Sequence, residues 1–309
     1  MTRTVNGERL FNDGAKEVLR KQIWLVAEFC GVQVVTYAIL TNHFHVLVRI
    51  PKKAEIPDAE LLRRYRLLHA RPTRYQAARL KVIEAQLADN GADAVEWRRR
   101  MSALMGDVSQ YMKLLKQRFS IWFNKSHERY GTLWSERFKS VLVEGAGRVL
   151  QTMAAYIDLN CVRACLVEDP KEYRFCGYAE AVSGNEAAQE GIRFVCGEKI
   201  WAATQSTYRK LLFGTGAGPR EKGAGISIET FNRVIAEGGK LALADALRCR
   251  IKYFTNGAVL GGRAFVETQL VSYRARTGRR ERTGPRALPP IADWGDLTVL
   301  RNVRQPALG

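Results

Sequence analysis

The clearest local pattern in the sequence is Val35-Thr36-Tyr37-Ala38-Ile39-Leu40-Thr41-Asn42-His43-Phe44-His45-Val46-Leu47-Val48-Arg49-Ile50. Two apolar runs with a Thr-Asn pair between them predict two strands, at residues 33–40 and 44–50. His43 and His45 lie two positions apart at the start of the second run. Because side chains alternate along a strand, both imidazoles are predicted to lie on one face of the sheet.

Two imidazoles on one face of a strand can be two ligands of a single metal ion. The chain has only four histidines among 309 residues, so this close pair is distinctive. We therefore interpret His43 and His45 as candidate metal ligands. The alternative, which is usual for an isolated histidine near a strand end, is a partly buried and hydrogen-bonded side chain.

The net charge is the strongest global signal. The chain carries 49 Lys and Arg against 31 Asp and Glu, a net charge of +18, and 46% of its residues are hydrophobic. A folded chain with this excess is predicted to bind a polyanion, most often nucleic acid. A membrane surface is the weaker alternative, because no basic amphipathic segment with an isolated apolar face stands out.

Cysteine usage and hydropathy favour a cytoplasmic location. The six cysteines show no paired CxxC spacing of a zinc site, so reduced structural thiols are expected. Residues 1–6 lack the apolar core of a signal peptide. No window reaches the roughly 18 apolar residues that a transmembrane helix needs.

The first half of the chain has an α+β pattern, in which helices pack on a few strands. A further strand is predicted at 138–143, and helices are predicted at 17–30, with Gly31 as the C-cap, and at 54–90, 94–124 and 148–162. The second of these helices, part of a helical insertion at about 54–100, contains Arg63-Arg64-Tyr65-Arg66 and then Arg71 and Arg74. We interpret this run as a solvated helix face, with a phosphate-contacting surface as the alternative.

The composition changes after about residue 183, which predicts two domains, at residues 1–183 and 184–309. The second is predicted to be mainly helical, with a linker at 214–219, a turn at 255–257 and helices at 226–237, 242–253 and 263–276. Two helices around a short turn make this region a candidate helix-turn-helix. The basic tail after about residue 277 is expected to be loose, because it is rich in arginine and proline.

The helix predicted at 148–162 carries Tyr156 and Asn160, which are four positions apart and hence on one helical face. A tyrosine is a nucleophile when its phenolate is stabilised, and a divalent ion can make a phosphate electrophilic. Asn160 is a candidate third ligand beside the two imidazoles. The alternative for Tyr156 is a tyrosine packed between helix and sheet.

Three segments resemble those of a known family. Thr41-Asn42-His43-Phe44-His45-Val46-Leu47-Val48 resembles the histidine–hydrophobe–histidine (HUH) signature of single-tyrosine transposases. Gly131-Thr132-Leu133-Trp134-Ser135-Glu136-Arg137-Phe138-Lys139-Ser140 is similar to their second block. Tyr156-Ile157-Asp158-Leu159-Asn160-Cys161-Val162-Arg163-Ala164 resembles their tyrosine-helix block. Taken in order, and over residues 5–178, they are most similar to the REP-associated tyrosine transposases, which act on extragenic palindromic repeats.

The resemblance implies a ferredoxin-like α+β nuclease domain that binds a folded single-stranded DNA hairpin and cleaves beside it without ATP. Tyr156 would attack the phosphodiester, forming a 5′-phosphotyrosine and freeing a 3′-hydroxyl. His43 and His45 would hold Mg²⁺ or Mn²⁺, with Asn160 as the third ligand. The basic residues in or beside the matching segments are expected to contact DNA: Arg118, Arg137, Lys139 and Arg163. Monomer and homodimer both remain open.

The chain departs from the family at three places. Only residues 1–3 stand where the family has an apolar first strand, Cys161 stands where many members have proline, and Cys165 stands where they have glycine. If position 165 needs a left-handed backbone, its Cβ costs about 1 kcal/mol.

A DNA-cleaving and rejoining transposase is therefore the first prediction. The alternative is a non-catalytic DNA-binding protein derived from a decayed transposase. A replication initiator or relaxase with the same chemistry would be expected to carry a helicase or a larger histidine cluster, and the sequence contains neither.

Overall fold

The computed structural model of the chain describes residues 1–52, 54–214, 243–248, 251, 253–278, 284–288 and 292–301, apart from the side chains of residues 253 and 256. Its strands are β1 (Thr2–Arg3), β2 (Gln33–Ile39), β3 (His43–Arg49), β4 (Leu142–Val143), β5 (Val259–Gly262), β6 (Arg286–Ala287) and β7 (Leu297–Leu300). Its helices are α1 (Asp13–Cys30), α2 (Asp58–Leu67), α3 (Arg74–Asp89), α4 (Ala92–Ser102), α5 (Val108–Ser126), α6 (Gly147–Asp158), α7 (Asn160–Arg163), α8 (Gly177–Val182), α9 (Glu186–Cys196), α10 (Trp201–Phe213), α11 (Leu243–Arg248), α12 (Tyr253–Asn256) and α13 (Arg263–Thr277). The fold is α+β, as the sequence predicts.

The chain divides into two compact units. The first contains Met1–Leu10, Val35–Leu47 and Trp134–Gly309. The second contains Phe11–Val34 and Val48–Leu133. All the predicted site residues except Arg118 belong to the first unit.

Strand β3 is the middle strand of the first sheet, whose order is β1-β3-β2. The two strands predicted on either side of Thr41-Asn42 are confirmed as β2 and β3. Strand β1 is short and runs antiparallel to β3, with Arg3 opposite His43. The chain at β1 also meets the second family-like segment, because Thr4 forms an antiparallel bridge with Trp134.

Helix α1 of the second unit confirms the predicted helix and its C-cap. Gly31 ends it in a left-handed conformation with φ 62°, which glycine adopts without strain. The helix begins before the predicted residue 17 because the Asn12 side chain accepts a hydrogen bond from the Ala15 N–H at 2.8 Å. This N-cap satisfies a backbone donor that would otherwise lack a partner.

Two long predicted helices are each divided in the structure. Thr73 starts α3 with a capping box, and its side chain and that of Gln76 satisfy each other's backbone N–H groups. Gly106, with φ 63°, separates α4 from α5, and the Asp107 side chain caps α5 through the Gln110 N–H at 2.8 Å. The single helix predicted at 94–124 is therefore wrong, and the helical segment predicted at 54–90 consists of two helices. Both breaks have a local signal in the sequence, Pro72 before α3 and Gly106 before α5, which a reading of apolar spacing alone does not use.

A second sheet corrects the predictions for the C-terminal region. Its order is β4-β5-β7-β6, and β4 pairs in parallel with β5. The strand predicted at 138–143 is reduced to Leu142–Val143, and the turn predicted at 255–257 leads from α12 into a strand. The described residues therefore form no helix-turn-helix around this turn. The helix predicted at 226–237 lies outside the described residues.

The tail predicted to be loose instead contributes strands β6 and β7 to this sheet. Leu300 of β7 packs with Val259 of β5 and with Val266 and Leu270 of α13 in one apolar cluster. The helix predicted at 263–276 is confirmed as α13. None of the described helices is long and apolar enough to span a lipid bilayer.

The domain boundary at residues 183/184 stays a prediction, and contacts cross that position. A Cβ atom on Gly191 of α9 would meet the backbone of Val35 in β2, so only glycine allows this close approach. Arg209 of α10 forms an ion pair with the buried Asp169 at 3.0 Å.

Candidate functional site

Strand β3 brings the two histidines of the HUH-like segment together. Their ring centroids are 5.3 Å apart, with the ring planes at 78°. His45 is 7% exposed, whereas His43 is half-buried. The Nδ1 atom of His43 lies 2.7 Å from the Asn42 side-chain oxygen. If Nδ1–H donates there, Nε2 is the ring nitrogen with a lone pair for a ligand.

The surroundings of His45 keep its imidazole neutral. Burial lowers its pKa well below the usual value, and positive groups that include Arg163 and Arg3 lower it further. Neutral imidazole is the form that binds metal ions. The same positive groups would attract an anion such as a phosphodiester to this place.

Asn160 was predicted as the third ligand. Its side-chain NH₂ donates to the carbonyls of Ile157 at 2.9 Å and Tyr156 at 3.3 Å, so its amide oxygen is the atom left to act as a ligand. Among the described residues, no three His, Cys, Asp or Glu side chains cluster in a way that could hold a metal ion. The two imidazoles supply two nitrogen ligands, so a divalent ion held there would need oxygen atoms, such as those of Asn160, water or phosphate, for its other positions.

Tyr156 lies near the end of α6, and the helix predicted to run to residue 162 breaks just after it. Leu159, with φ −74° and ψ 1°, separates α6 from α7. The break turns the chain so that Arg163 lies over the tyrosine ring, with its guanidinium carbon 3.9 Å from the ring centroid. Arg163 also donates to the carbonyls of Tyr156 at 2.5 Å and Leu247 at 2.6 Å.

Residues of the C-terminal region cover Tyr156, which is 3% exposed. Its hydroxyl donates to the Ile251 carbonyl at 3.4 Å, and the Phe254 ring meets its ring edge-on at 4.8 Å. Phe254 in turn contacts Trp294, with 6.0 Å between ring centroids. A DNA strand can reach the Tyr156 oxygen only if this cover moves. No local sequence pattern indicates the cover, because these contacts join segments that are distant along the chain.

The second family-like segment joins the same unit through an aromatic contact. The rings of Phe44 and Trp134 are 5.8 Å apart and nearly perpendicular. Arg137 and Lys139 of this segment are exposed, and Lys139 pairs with Glu136 at 3.0 Å. Both can reach solvent ligands, as the predicted DNA contact requires.

The other two predicted DNA contacts are less accessible. Arg163 is half-buried and held by the carbonyls described above. Arg118, in the second unit, donates to the Leu68 carbonyl at 3.3 Å, and burial lowers the pKa of its guanidinium. Its Nε atom is buried without a hydrogen-bond partner among the described residues.

Asp158 is a buried acid that the sequence interpretation did not select. Its carboxylate accepts hydrogen bonds from the Thr36 hydroxyl at 2.7 Å, the Tyr208 hydroxyl at 2.6 Å and the Tyr178 N–H at 3.2 Å. Burial raises its pKa to about 7, although these hydrogen bonds act in the opposite direction. Its signal was an acid inside the otherwise apolar end of α6, which is rare unless the acid is paired.

The two cysteines that depart from the family have different surroundings. Cys165 is exposed and has φ 54°, so position 165 does require the left-handed backbone that glycine prefers. Cys161 is fully buried in α7, and its Sγ atom lies 3.2 Å from the Asp158 carbonyl.

A scan against models of protein families found no match, and searches of curated proteins and of solved structures also found none.

Proposed function

We propose that this chain is a DNA transposase of the HUH single-tyrosine type, which binds single-stranded hairpin DNA and cleaves and rejoins it. One observation carries the proposal: the three family-like segments converge. Phe44 of the first contacts Trp134 of the second, and Arg163 of the third lies close enough to His45 to shift its pKa while stacking on Tyr156. The meeting of three segments that are far apart in sequence supports a shared site.

In this proposal the Tyr156 oxygen attacks the phosphorus, and a P–O bond to tyrosine forms. The bond from phosphorus to the 3′-oxygen breaks, and that oxygen leaves as the 3′-hydroxyl after taking up a proton. The phenol proton passes to solvent. Arg163 stabilises the developing negative charge on the tyrosine ring and oxygen, because its cation stacks directly on the ring.

The histidine pair has the complementary role. His43, His45 and Asn160 would hold Mg²⁺ or Mn²⁺, which when bound polarises the attacked phosphate. Hydrogen bonding of His43 to Asn42 fixes one ring, and the burial of His45 fixes the other.

The order β1-α1-β2-β3 supports the finer fold prediction, since it is the start of the β-α-β-β-α-β pattern of ferredoxin-like domains. A cytoplasmic location, where the chain would meet DNA, is part of the same proposal.

A non-catalytic DNA-binding protein is the second candidate. The burial of Tyr156 favours it, because a nucleophile that stays covered by Ile251 and Phe254 does not react.

The test is a search for a covalent adduct. The full chain is incubated with labelled single-stranded DNA hairpins and Mn²⁺, denatured, and examined for labelled protein. We expect an adduct with the native chain and none with Tyr156→Phe, which keeps the ring packing and loses only the oxygen. Tyr111→Phe is the control, because Tyr111 is also buried and its hydroxyl also donates to a carbonyl, that of Ile23 at 3.3 Å.

Hairpin binding by the native chain without any adduct would support the second candidate. An adduct that persists in Tyr156→Phe would assign the nucleophile elsewhere. His43→Ala or His45→Ala should remove the adduct and leave hairpin binding largely intact, as should EDTA. His127→Ala, which changes a histidine of the other unit, should leave the adduct in place.

A further inference from the structure

A basic segment of the helical insertion contains two kinds of cation. Residues 61–83 include seven Arg or Lys and no Asp or Glu. Three of these arginines are held in ion pairs. Arg63 pairs with Glu28 and Glu60, Arg64 pairs with Glu60, and Arg66 pairs with Glu84, all at 2.6–2.7 Å.

The other four cations form no ion pair with the described residues. They are Arg71, Arg74, Arg79 and Lys81, and all four are exposed. The next helix differs, since Arg98 pairs with Asp58 at 2.8 Å and Arg99 with Glu96 at 2.7 Å. The charges of Arg98 and Arg99 are thus neutralised, whereas Arg100 of α4 is exposed and forms no ion pair with the described residues. The largest group of cations without an ion pair in the insertion lies in α3 and the residues before it.

Two of these cations lie where positive charge destabilises the helix. Arg74 is the first residue of α3, Arg71 precedes it, and the first turn contains no acid. A cation near the positive end of a helix costs about 0.3–1 kcal/mol. Burial lowers the pKa of His69, and Arg118 of α5 and Arg79 of α3 lower it further. Positive charge therefore accumulates here without a structural partner.

The same helix exposes an aromatic ring among these cations. Tyr75 is 77% exposed and Val82 is 55% exposed. Tyr75, Arg79 and Val82 are spaced i, i+4 and i+7, so they share one side of α3 along about 10 Å of its axis. Arg74 and Lys81 form a second row about 100° around the helix from Tyr75, and Arg71 precedes the helix. We call the set formed by Arg71, Arg74, Tyr75, Arg79, Lys81 and Val82 the α3 face.

We propose that the α3 face is a binding surface for single-stranded nucleic acid, separate from the residues assigned to cleavage. Its arginines contact backbone phosphates, and Tyr75 stacks on a base. The positive charge of this face is complementary to a polyanion. An exposed aromatic ring among cations is the combination with which proteins bind single strands. The proposal does not depend on Tyr156 being a nucleophile.

The first test compares two triple variants in binding a fluorescent oligothymidylate. One removes free cations, Arg71→Gln, Arg74→Gln and Arg79→Gln. The control removes ion-paired cations of the same insertion, Arg63→Gln, Arg66→Gln and Arg99→Gln, with the same loss of charge. Because each phosphate contact adds about 0.7 to the salt slope for single strands, the first variant should lower the slope by about 2. Its affinity deficit should then shrink about 20-fold between 50 and 200 mM salt, while the control keeps the native slope.

The second test addresses stacking. Tyr75→Ala should weaken oligothymidylate binding at least fivefold, and Tyr75→Phe should bind as the native chain does. Tyr75 is exposed, so neither substitution disturbs the core, and this pair remains informative even if a triple variant folds poorly.

Equal losses in the two triple variants would show that only bulk charge matters and would overturn the proposal. So would unchanged DNA binding combined with reduced binding to phosphatidylserine vesicles, which would reassign the face to a membrane surface. Failure of the Tyr156 adduct assay leaves these outcomes unaffected, because they measure binding alone.

Discussion

At the scale of single residues, Asp158 links the fold to pH. Its carboxyl, in the helix of Tyr156, is buried and has a pKa raised to about 7. An unfolded aspartate has a pKa of about 3.9, so between pH 4 and 7 the folded chain binds more protons than the unfolded chain. The contribution of this group to stability is therefore largest at low pH and is lost as the pH rises to about 7.

Asp158→Asn should remove this pH dependence. From pH 5 to pH 8 the native chain should lose about 3 kcal/mol of unfolding free energy relative to the variant, as measured by urea denaturation at each pH. The difference in unfolding free energy between the two chains excludes the pH dependence of the carboxylates that they share. Parallel stability curves would mean that Asp158 titrates normally in the folded protein.

Cys165 offers a simpler test of the backbone. Its φ of 54° is strained for a residue with a Cβ atom, and its exposed side chain gains little from packing. Cys165→Gly should therefore stabilise the chain by about 0.5–1 kcal/mol, after allowance for the greater freedom of glycine in the unfolded state. Cys165→Ala should change little, because it keeps the Cβ. A destabilised glycine variant would contradict the strain.

At the scale of elements, the sequence predicts those strands and helix ends that have a local signal. Strands β2 and β3 have continuous apolar runs, and Gly31 marks the end of α1, so these elements and the histidine pair were predictable. Strand β6 has two residues, β5 ends in Gly261-Gly262, and only Leu142–Val143 of the strand predicted at 138–143 forms β4, so local patterns show little of this sheet. Their existence depends on pairing between distant segments, such as Leu142 with Val259, which a local pattern does not contain.

The cover over Tyr156 has the same non-local origin, and it yields a prediction. Phe254→Ala should expose the Tyr156 ring by removing its edge-on neighbour, at a cost to stability of about 3–5 kcal/mol. Nitration with tetranitromethane, mapped by mass spectrometry, should increase at Tyr156. Phe265→Ala is the control, because Phe265 packs on the separate cluster of α13. Equal nitration of Tyr156 in both variants would show that Phe254 does not protect the ring.

At the scale of the whole molecule, the boundary predicted at residues 183/184 divides groups that the structure joins. Tyr208 supplies one of three hydrogen bonds to Asp158, and Arg209 pairs with the fully buried Asp169. Composition changes near residue 183, but composition does not reveal which side chains cross the change. The helices α9 and α10 therefore complete the core around Asp158, although the sequence grouped them with a C-terminal extension.

Fragments of the chain can test this grouping. A fragment of residues 1–184 lacks Tyr208 and Arg209. Asp158 then loses a hydrogen-bond donor and is opened to water, and Asp169 loses the cation with which it pairs. A fragment of residues 1–214 keeps both. We expect 1–214 to unfold cooperatively on heating, followed by circular dichroism, and 1–184 to show a broad transition or none. Tyr208→Phe in the longer fragment should lower its midpoint, because the Asp158 carboxylate then has one donor fewer and leaving a buried acceptor unsatisfied costs about 1–3 kcal/mol. A 1–184 fragment as stable as 1–214 would support the predicted boundary at 183/184 and would show that the contacts of α10 contribute little to stability.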